Sequence, residues 1–229
     1  MERMKRLIKS AYHSRAVSGF FHTMLYCLQR ELSDCESVLD LGCGPSSPLQ
    51  YCVGPTFTVG VEAFGPYYER AVHGKTHTEV VNATIQQLDF PEKSFDAVVL
   101  TEVIEHLTEE DGLQALRAAE RWARKKVIVT SPNGFVAQHA VDGNEMQEHL
   151  SGWPLRRMRE LGFSAHGLAG LKFLRQEVHS DTMGDDLLVS IRFHPRIFWF
   201  LIATMSQVAT YFIPGLAFGL FSVKSLSRD

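Results

Sequence analysis

The stretch Val38-Leu39-Asp40-Leu41-Gly42-Cys43-Gly44-Pro45-Ser46 constrains this chain most. An apolar strand runs straight into two glycines that stand one residue apart. Glycine at such a point lets backbone approach a ligand without a Cβ clash. A helix beginning just after it would aim free N–H groups at an anion. The segment therefore predicts a strand, a tight turn and a binding edge, in that order.

The rest of the chain repeats the strand half of that pattern. Residues 56–63 (TFTVGVEA), 78–83 (TEVVNA), 95–101 (FDAVVLT) and 126–130 (KVIVT) read as further strands. The 95–101 run is nearly all apolar, as a parallel strand buried on both faces should be. Helices are predicted over 16–31, 67–72, a run starting after Thr108, and 153–161. Thr108 is a candidate N-cap, with Glu109, Glu110 and Asp111 in the first turn, where the helix dipole favours acids. A sixth strand is predicted at 163–166. Strands alternating with helices imply a parallel sheet with right-handed crossovers. No repeat or linker divides the 229 residues. The chain reads as a single domain over 1–229: an N-terminal helical segment (1–34), a cofactor-binding core (35–166) and a C-terminal extension (167–229).

A bare GxG is weak evidence by itself. Here Asp40 precedes the glycines and an acid, Glu62, closes the second strand, where it can accept hydrogen bonds from ribose hydroxyls. Position 47 is Ser, not the third Gly or Ala of a nicotinamide-binding fingerprint. The combination resembles the class I S-adenosylmethionine-dependent methyltransferases. VLDLGCG is similar to their first motif, Glu62 in VGVEAF to their ribose-binding acid, and LDFPEKSFDAVVLTEVIEHL (88–107) to their fourth-strand region. The resemblance runs from about 37 to 165. It implies an α/β, Rossmann-like fold: a mostly parallel seven-stranded sheet with an antiparallel last strand and helices on both faces. It also implies an enzyme with S-adenosyl-L-methionine as cofactor. By that analogy Asp40, Gly42, Cys43 and Gly44 form the first motif, with the glycines lining the methionine part. Glu62 holds the ribose, Asn82 and Ala83 border the adenine, and Thr101 offers backbone near the amino acid moiety. The family usually has Asp where this chain has Asn82.

Methyl transfer from a sulfonium is an in-line displacement, so the protein chiefly positions the reactants. A hydroxyl acceptor also needs a proton acceptor within reach. His106, after the fourth strand, and His149, in the long 131–151 segment, are the candidate catalytic residues. That segment is too long for a routine connection and is predicted to wall the substrate site. Asn133, Phe135 and His139 are its candidate substrate contacts. Glu102, Glu105 and His106 could share one helical turn. They resemble the metal-binding E-x-x-E-H of small-RNA 2′-O-methyltransferases, with His149 as a fourth ligand. Metal-free relatives carry the same string, so no metal is assigned.

The expected activity is O-methylation of a small-molecule, glycan or lipid-linked acceptor. Two alternatives stay open: a catalytically silent, membrane-associated interaction module on the same fold, and a metal-dependent 2′-O-methyltransferase of RNA. A net charge of −3 argues against a nucleic-acid partner. Cys27, Cys35, Cys43 and Cys52 form no CxxC pair, which fits reduced thiols in a cytoplasmic protein.

The chain is unevenly charged. Residues 197–223 contain no Asp, Glu, Lys or Arg. Pro214-Gly215 divides them into a 17-residue helix and a closing strand at 216–222. Thr204, Gln207 and Tyr211 share one helical face; Phe198, Leu201, Met205, Val208 and Phe212 share another. That pattern is amphipathic. It fits a core helix or an interfacial one at the inner face of a membrane better than a membrane span. Arg3, Lys5, Arg6, Lys9 and Arg15 oppose only Glu2 and predict a basic amphipathic helix leading into the domain.

Overall fold

The computed structural model describes residues 14–176 and 190–226. Arg3, Lys5, Arg6 and Lys9 lie outside them. The strands are β1 (Ser37–Leu41), β2 (Phe57–Val61), β3 (Glu79–Val81), β4 (Phe95–Thr101), β5 (Ala123–Pro132), β6 (Ser164–Leu171) and β7 (Ala217–Ser225). They form one seven-stranded sheet in the order β3-β2-β1-β4-β5-β7-β6. Strands β1 to β5 pair in parallel, and β7 runs antiparallel between β5 and β6. The closing strand is thus buried inside the sheet, which accounts for its missing charge.

Side chains alternate across β4 and build a core on each face. Val98 and Leu100 join Leu39, Leu41, Trp122 and Val127 on one side. Ala97 and Val99 join Val38, Ile128, Phe221 and Leu28 on the other. The helices among the described residues are α1 (Arg15–Phe20), α2 (Met24–Glu31), α3 (Gly65–Gly74), α4 (Glu109–Trp122), α5 (Leu155–Glu160) and α6 (Arg196–Phe212). Thr108 does cap α4, its hydroxyl accepting from Asp111 N–H at 3.1 Å. The single helix expected over 16–31 is two. His22 takes a positive φ of 48°, and Thr23 restarts the helix by accepting from Tyr26 N–H at 3.3 Å. The glycine turn after β1 leads not into an α-helix but into a short 3-10 turn, Pro48–Tyr51.

Helix α6 packs on β6 with its polar side inward. Gln207 is buried; its Oε1 accepts from Gly170 N–H at 2.8 Å and its Nε2 donates to Gly167 O at 3.0 Å. Ser206 Oγ accepts from Leu171 N–H at 3.0 Å. Tyr211 is sandwiched between His22 and His166, with ring centroids 4.1 and 4.2 Å away. The approach is close because β6 offers bare backbone. A Cβ at Gly167 would overlap the carbonyl oxygen of Thr210, and one at Gly170 would overlap that of Ala203. Neither obstacle is a flexible side chain. Gly167→Ala is therefore expected to lower unfolding free energy by about 1–3 kcal/mol, the usual cost of overpacking. Urea denaturation checks it, and an unchanged midpoint would contradict this seating of α6.

Candidate functional site

A cavity of about 880 Å³ opens at the carboxyl ends of β1, β2 and β4. Strand order reverses between β1 and β4, the place where open α/β sheets bind ligands. The two glycines after β1 both adopt positive φ, 69° at Gly42 and 61° at Gly44. They differ in what surrounds them. A Cβ at Gly42 would stand 2.7 Å from Val103 Cγ2, so that glycine is fixed by packing. A Cβ at Gly44 would meet no atom within 4 Å. Gly44 thus edges open cavity space that a side chain would fill.

Glu62, at the end of β2, holds this turn. Its Oε2 accepts from Gly44 N–H at 2.9 Å and its Oε1 from Phe64 N–H at 2.8 Å. Burial pushes its carboxyl above the ordinary range, against the pull of the Phe64, Gly44 and Ala63 amides. Asp40 is buried one layer below. Its Oδ2 accepts from Ser47 Oγ at 2.5 Å and meets His77 Nε2 at 3.1 Å, while Oδ1 is buried without a partner. Ser47, the residue that breaks the nicotinamide fingerprint, is what steadies Asp40. His77 gave no signal in the sequence, since only the fold brings it to β1. Ala83, Thr101 and Cys43 also line the cavity. Burial pushes the Cys43 thiol far up, so it is no nucleophile. Asn82 does not line it. Its Nδ2 donates to Glu62 O at 2.8 Å and Ala63 O at 3.2 Å, so it braces the backbone that carries Glu62.

The other end is built where β4 stops. Glu102 takes a φ of 52°, a left-handed conformation that costs a non-glycine residue about 1–2 kcal/mol. Its N–H donates to Thr130 O at 3.1 Å, which holds the bend. The expected shared helical turn is absent: a 3-10 turn covers only Ile104–His106, and Glu102 lies before it, exposed in the cavity. Glu105, His106 and His149 do converge, with donor atoms all within 4.8 Å of one another. The rings of His106 and His149 stand 4.7 Å apart. His106 Nδ1 lies 3.2 Å from Glu148 O, and His149 Nδ1 lies 2.6 Å from Val136 O. A carbonyl only accepts, so each Nδ1 carries the proton and each Nε2 keeps its lone pair. Burial foremost, then His149, lowers His106 to about 4, and burial lowers His149 as well. Both oxygens of Glu105 are buried without a hydrogen-bond partner. Burial, then the neighbouring Glu102 carboxyl, raises Glu105 well above the ordinary range.

The long segment after β5 forms much of the wall, through Val136, Gln138, Met146 and His149 among others. It is pinned to the acidic turn: Leu150 N–H and Ser151 N–H both donate to Glu105 O, at 2.8 and 3.1 Å. Across the cavity, Tyr67 Oη donates to Asp142 Oδ2 at 2.9 Å. The three contacts expected from this segment lie off the cavity. Asn133 is buried, its Nδ2 donating to Pro214 O and Ala217 O at 3.1 Å each and its Oδ1 accepting from Leu155 N–H at 3.1 Å. Phe135 is exposed, and its backbone abuts Gly152. His139 is exposed too. Tyr67, Gln176, Ser190 and Phe218 line the cavity without having been singled out. Its wall carries Asp40, Glu62, Glu102, Glu105 and Glu145 and, among the described residues, not one Lys or Arg. Such a wall suits a cationic guest, and a sulfonium is one.

A family model described as a methyltransferase domain matches residues 39–130. No curated protein matches the chain in sequence. Among solved structures, a SAM-dependent methyltransferase from Archaeoglobus fulgidus superposes with a TM-score of 0.54 at 14% identity, over 91% of this chain and 97% of its own. An S-adenosylmethionine-dependent methyltransferase from Mesorhizobium loti gives 0.53 at 12% identity, over 88% and 95%. The plantazolicin methyltransferase BpumL, in complex with SAH, gives 0.52 at 14% identity, over 98% and 90%. At these identities the superpositions speak for the fold, and the sequence match speaks for residues 39–130. Together with the Glu62-held glycine turn and the acid-lined cavity, they give this chain the Rossmann-like fold of the class I methyltransferases, with a methyltransferase-domain match over residues 39–130.

Proposed function

We propose that this methyltransferase, one domain over 1–229, transfers its methyl group to an oxygen of a small-molecule, glycan or lipid-linked acceptor. Glu105, His106 and His149 stand at the acceptor end. The observation that carries the reading is the pair of imidazoles whose Nδ1 protons are both committed to backbone carbonyls, beside a carboxylate with no donor. In the reaction the S–CH3 bond breaks as the O–CH3 bond forms, and the cofactor leaves as a neutral thioether. The acceptor hydroxyl loses its proton, which an Nε2 of this pair can take only where no metal ion occupies it. At the cofactor end Glu62 accepts from the ribose hydroxyls. Gly42, Cys43 and Gly44 line the methionine part, Ala83 borders the adenine, and Thr101 offers backbone near the amino acid moiety. Asn82 acts through Glu62.

An imidazole held down to about 4 is a weak base at neutral pH but a good metal ligand. One carboxylate and two neutral imidazoles, each with its far N–H on a carbonyl, match the usual surroundings of a bound divalent cation. Glu105, His106 and His149 would hold it, and it would supply Lewis-acid polarisation of the acceptor hydroxyl. The metal-dependent 2′-O-methyltransferase of RNA shares this donor set. A polyanion, however, needs Lys or Arg contacts for its phosphates, and among the described residues no lining residue is either. The silent module makes no use of the Glu62 and Gly44 arrangement, which favours an active cofactor site.

Glu62→Ala is expected to weaken S-adenosylmethionine binding about tenfold or more, through lost charge-assisted hydrogen bonds. Titration calorimetry reads this, and unchanged affinity would remove Glu62 from the site. The same instrument tests pH. Because burial raises the Glu62 carboxyl, it gains a proton sooner on acidification than an ordinary glutamate. Cofactor affinity should therefore begin to fall on acidification before the pH reaches the range where free carboxylates titrate. A flat profile would mean that the amides, not burial, set its charge. For the acceptor end, EDTA should abolish methyl transfer in cell extract without loosening the cofactor, and manganese or magnesium should restore it. Transfer that survives EDTA, but fails in His149→Ala, would assign the imidazoles as bases instead.

A further inference from the structure

Helix α6 is amphipathic the wrong way round for a protein in water. Its inward face buries Gln207 and Thr210 beside Ala203 and Tyr211, with Ser206 at its edge, and its outward face is apolar. Ile197, Leu201, Met205 and Phe212 are each more than half exposed, at 65, 57, 58 and 68%. At 3.6 residues per turn these four fall within an arc of about 80°, with Val208 between them. The stripe runs past the end of α6 into Ile213 and Leu216, also more than half exposed. Single exposed apolar residues are ordinary; a contiguous stripe of this length marks an interaction surface.

We propose that this face docks onto an anionic lipid surface, with α6 lying in the plane of the interface. Charge selects the occupant. From residue 187 to 228 the sequence has no Asp or Glu, but it has Arg192, Arg196, Lys224 and Arg228. Arg192 is exposed just before the helix and Arg196 opens it. Basic residues at the end of an apolar stripe complement lipid phosphates. A second copy of this chain, meeting it patch to patch, would offer those arginines no acid. Trp199, half-buried beside Phe193 and Phe198 at ring distances of 5.3 and 5.4 Å, adds the ring type favoured at headgroup depth. No helix among the described residues is long and apolar enough to cross a membrane, so the contact is peripheral. The surface also borders the cavity. Gln176 and Ser190 line it, and the Arg175–Ile191 bridge joins that wall to Arg192. The inference goes beyond the acceptor reading and does not depend on it.

The test is flotation of the full chain with phosphatidylcholine vesicles, with and without phosphatidylglycerol, alongside light scattering for oligomeric state. Wild type should float with the phosphatidylglycerol vesicles, and less as salt rises. Arg192→Gln and Arg196→Gln should each weaken this about fivefold. Leu201→Asp/Met205→Asp should weaken it about tenfold or more while S-adenosylmethionine affinity stays unchanged, which shows a folded variant. No flotation by wild type would overturn the proposal. So would flotation unaltered in the folded Leu201→Asp/Met205→Asp variant. A wild-type dimer that ignores vesicles and that this variant splits would assign the face to a second copy instead.

Discussion

The Glu62 carboxylate is the tie on which the binding edge depends. It leaves the end of β2, takes the N–H of Gly44 and fixes the turn that follows β1. That turn is left-handed at both glycines, so little else in the local sequence decides its path. Asn82 reaches from beyond β3 to hold the Glu62 and Ala63 carbonyls. Ser47 and His77 fix Asp40 beneath. Three strand ends are thus linked by polar bonds around one acid, and the cavity inherits its shape from them. The arrangement holds Glu62 in place before any ligand arrives, which is the condition for binding without reorganisation.

Much of this was legible because it is local. Strand β4 announced itself through an unbroken apolar run, and its predicted bounds, 95–101, are those observed. Asp40, the glycines, Glu62 and Thr101 lie at strand ends, so finding the strands found them. What failed was long-range. Asn133 reads as a polar residue in a long loop, and nothing nearby shows that Pro214, Ala217 and Leu155 will absorb its whole amide. Asn82 reads as a ligand contact because Ala83 beside it lines the cavity, yet its amide serves the end of β2, the preceding strand. Glu102 was placed on a helix by spacing alone, whereas the bond from its N–H to Thr130 turns the chain left-handed first.

Helix α6 shows a limit of a different kind. The sequence separates a polar from an apolar face correctly, but periodicity does not say which face is inside. The usual rule puts the apolar one there. Two glycines on β6 reverse it, because they let backbone come close enough for Gln207 to bond Gly167 and Gly170 directly. Polar groups that find partners this way can be buried at little cost. The information that inverted the helix sat some 40 residues upstream, in the smallness of another element.

The cavity's two buried glutamates make the chemical argument sharpest. Both are acids in apolar surroundings, and burial raises both. Glu62 is surrounded by amide donors that favour its charged form. Glu105 has no donor, and its neighbour Glu102 is another acid, so it has every reason to stay neutral until a positive charge comes near. The imidazoles beside it are shifted the opposite way, towards neutrality as bases. A cation would reverse the first shift and use the lone pairs left by the second. One end of the cavity thus holds an acid whose charged form is supported by amide donors. The other holds an acid and two imidazoles that burial drives towards their neutral forms.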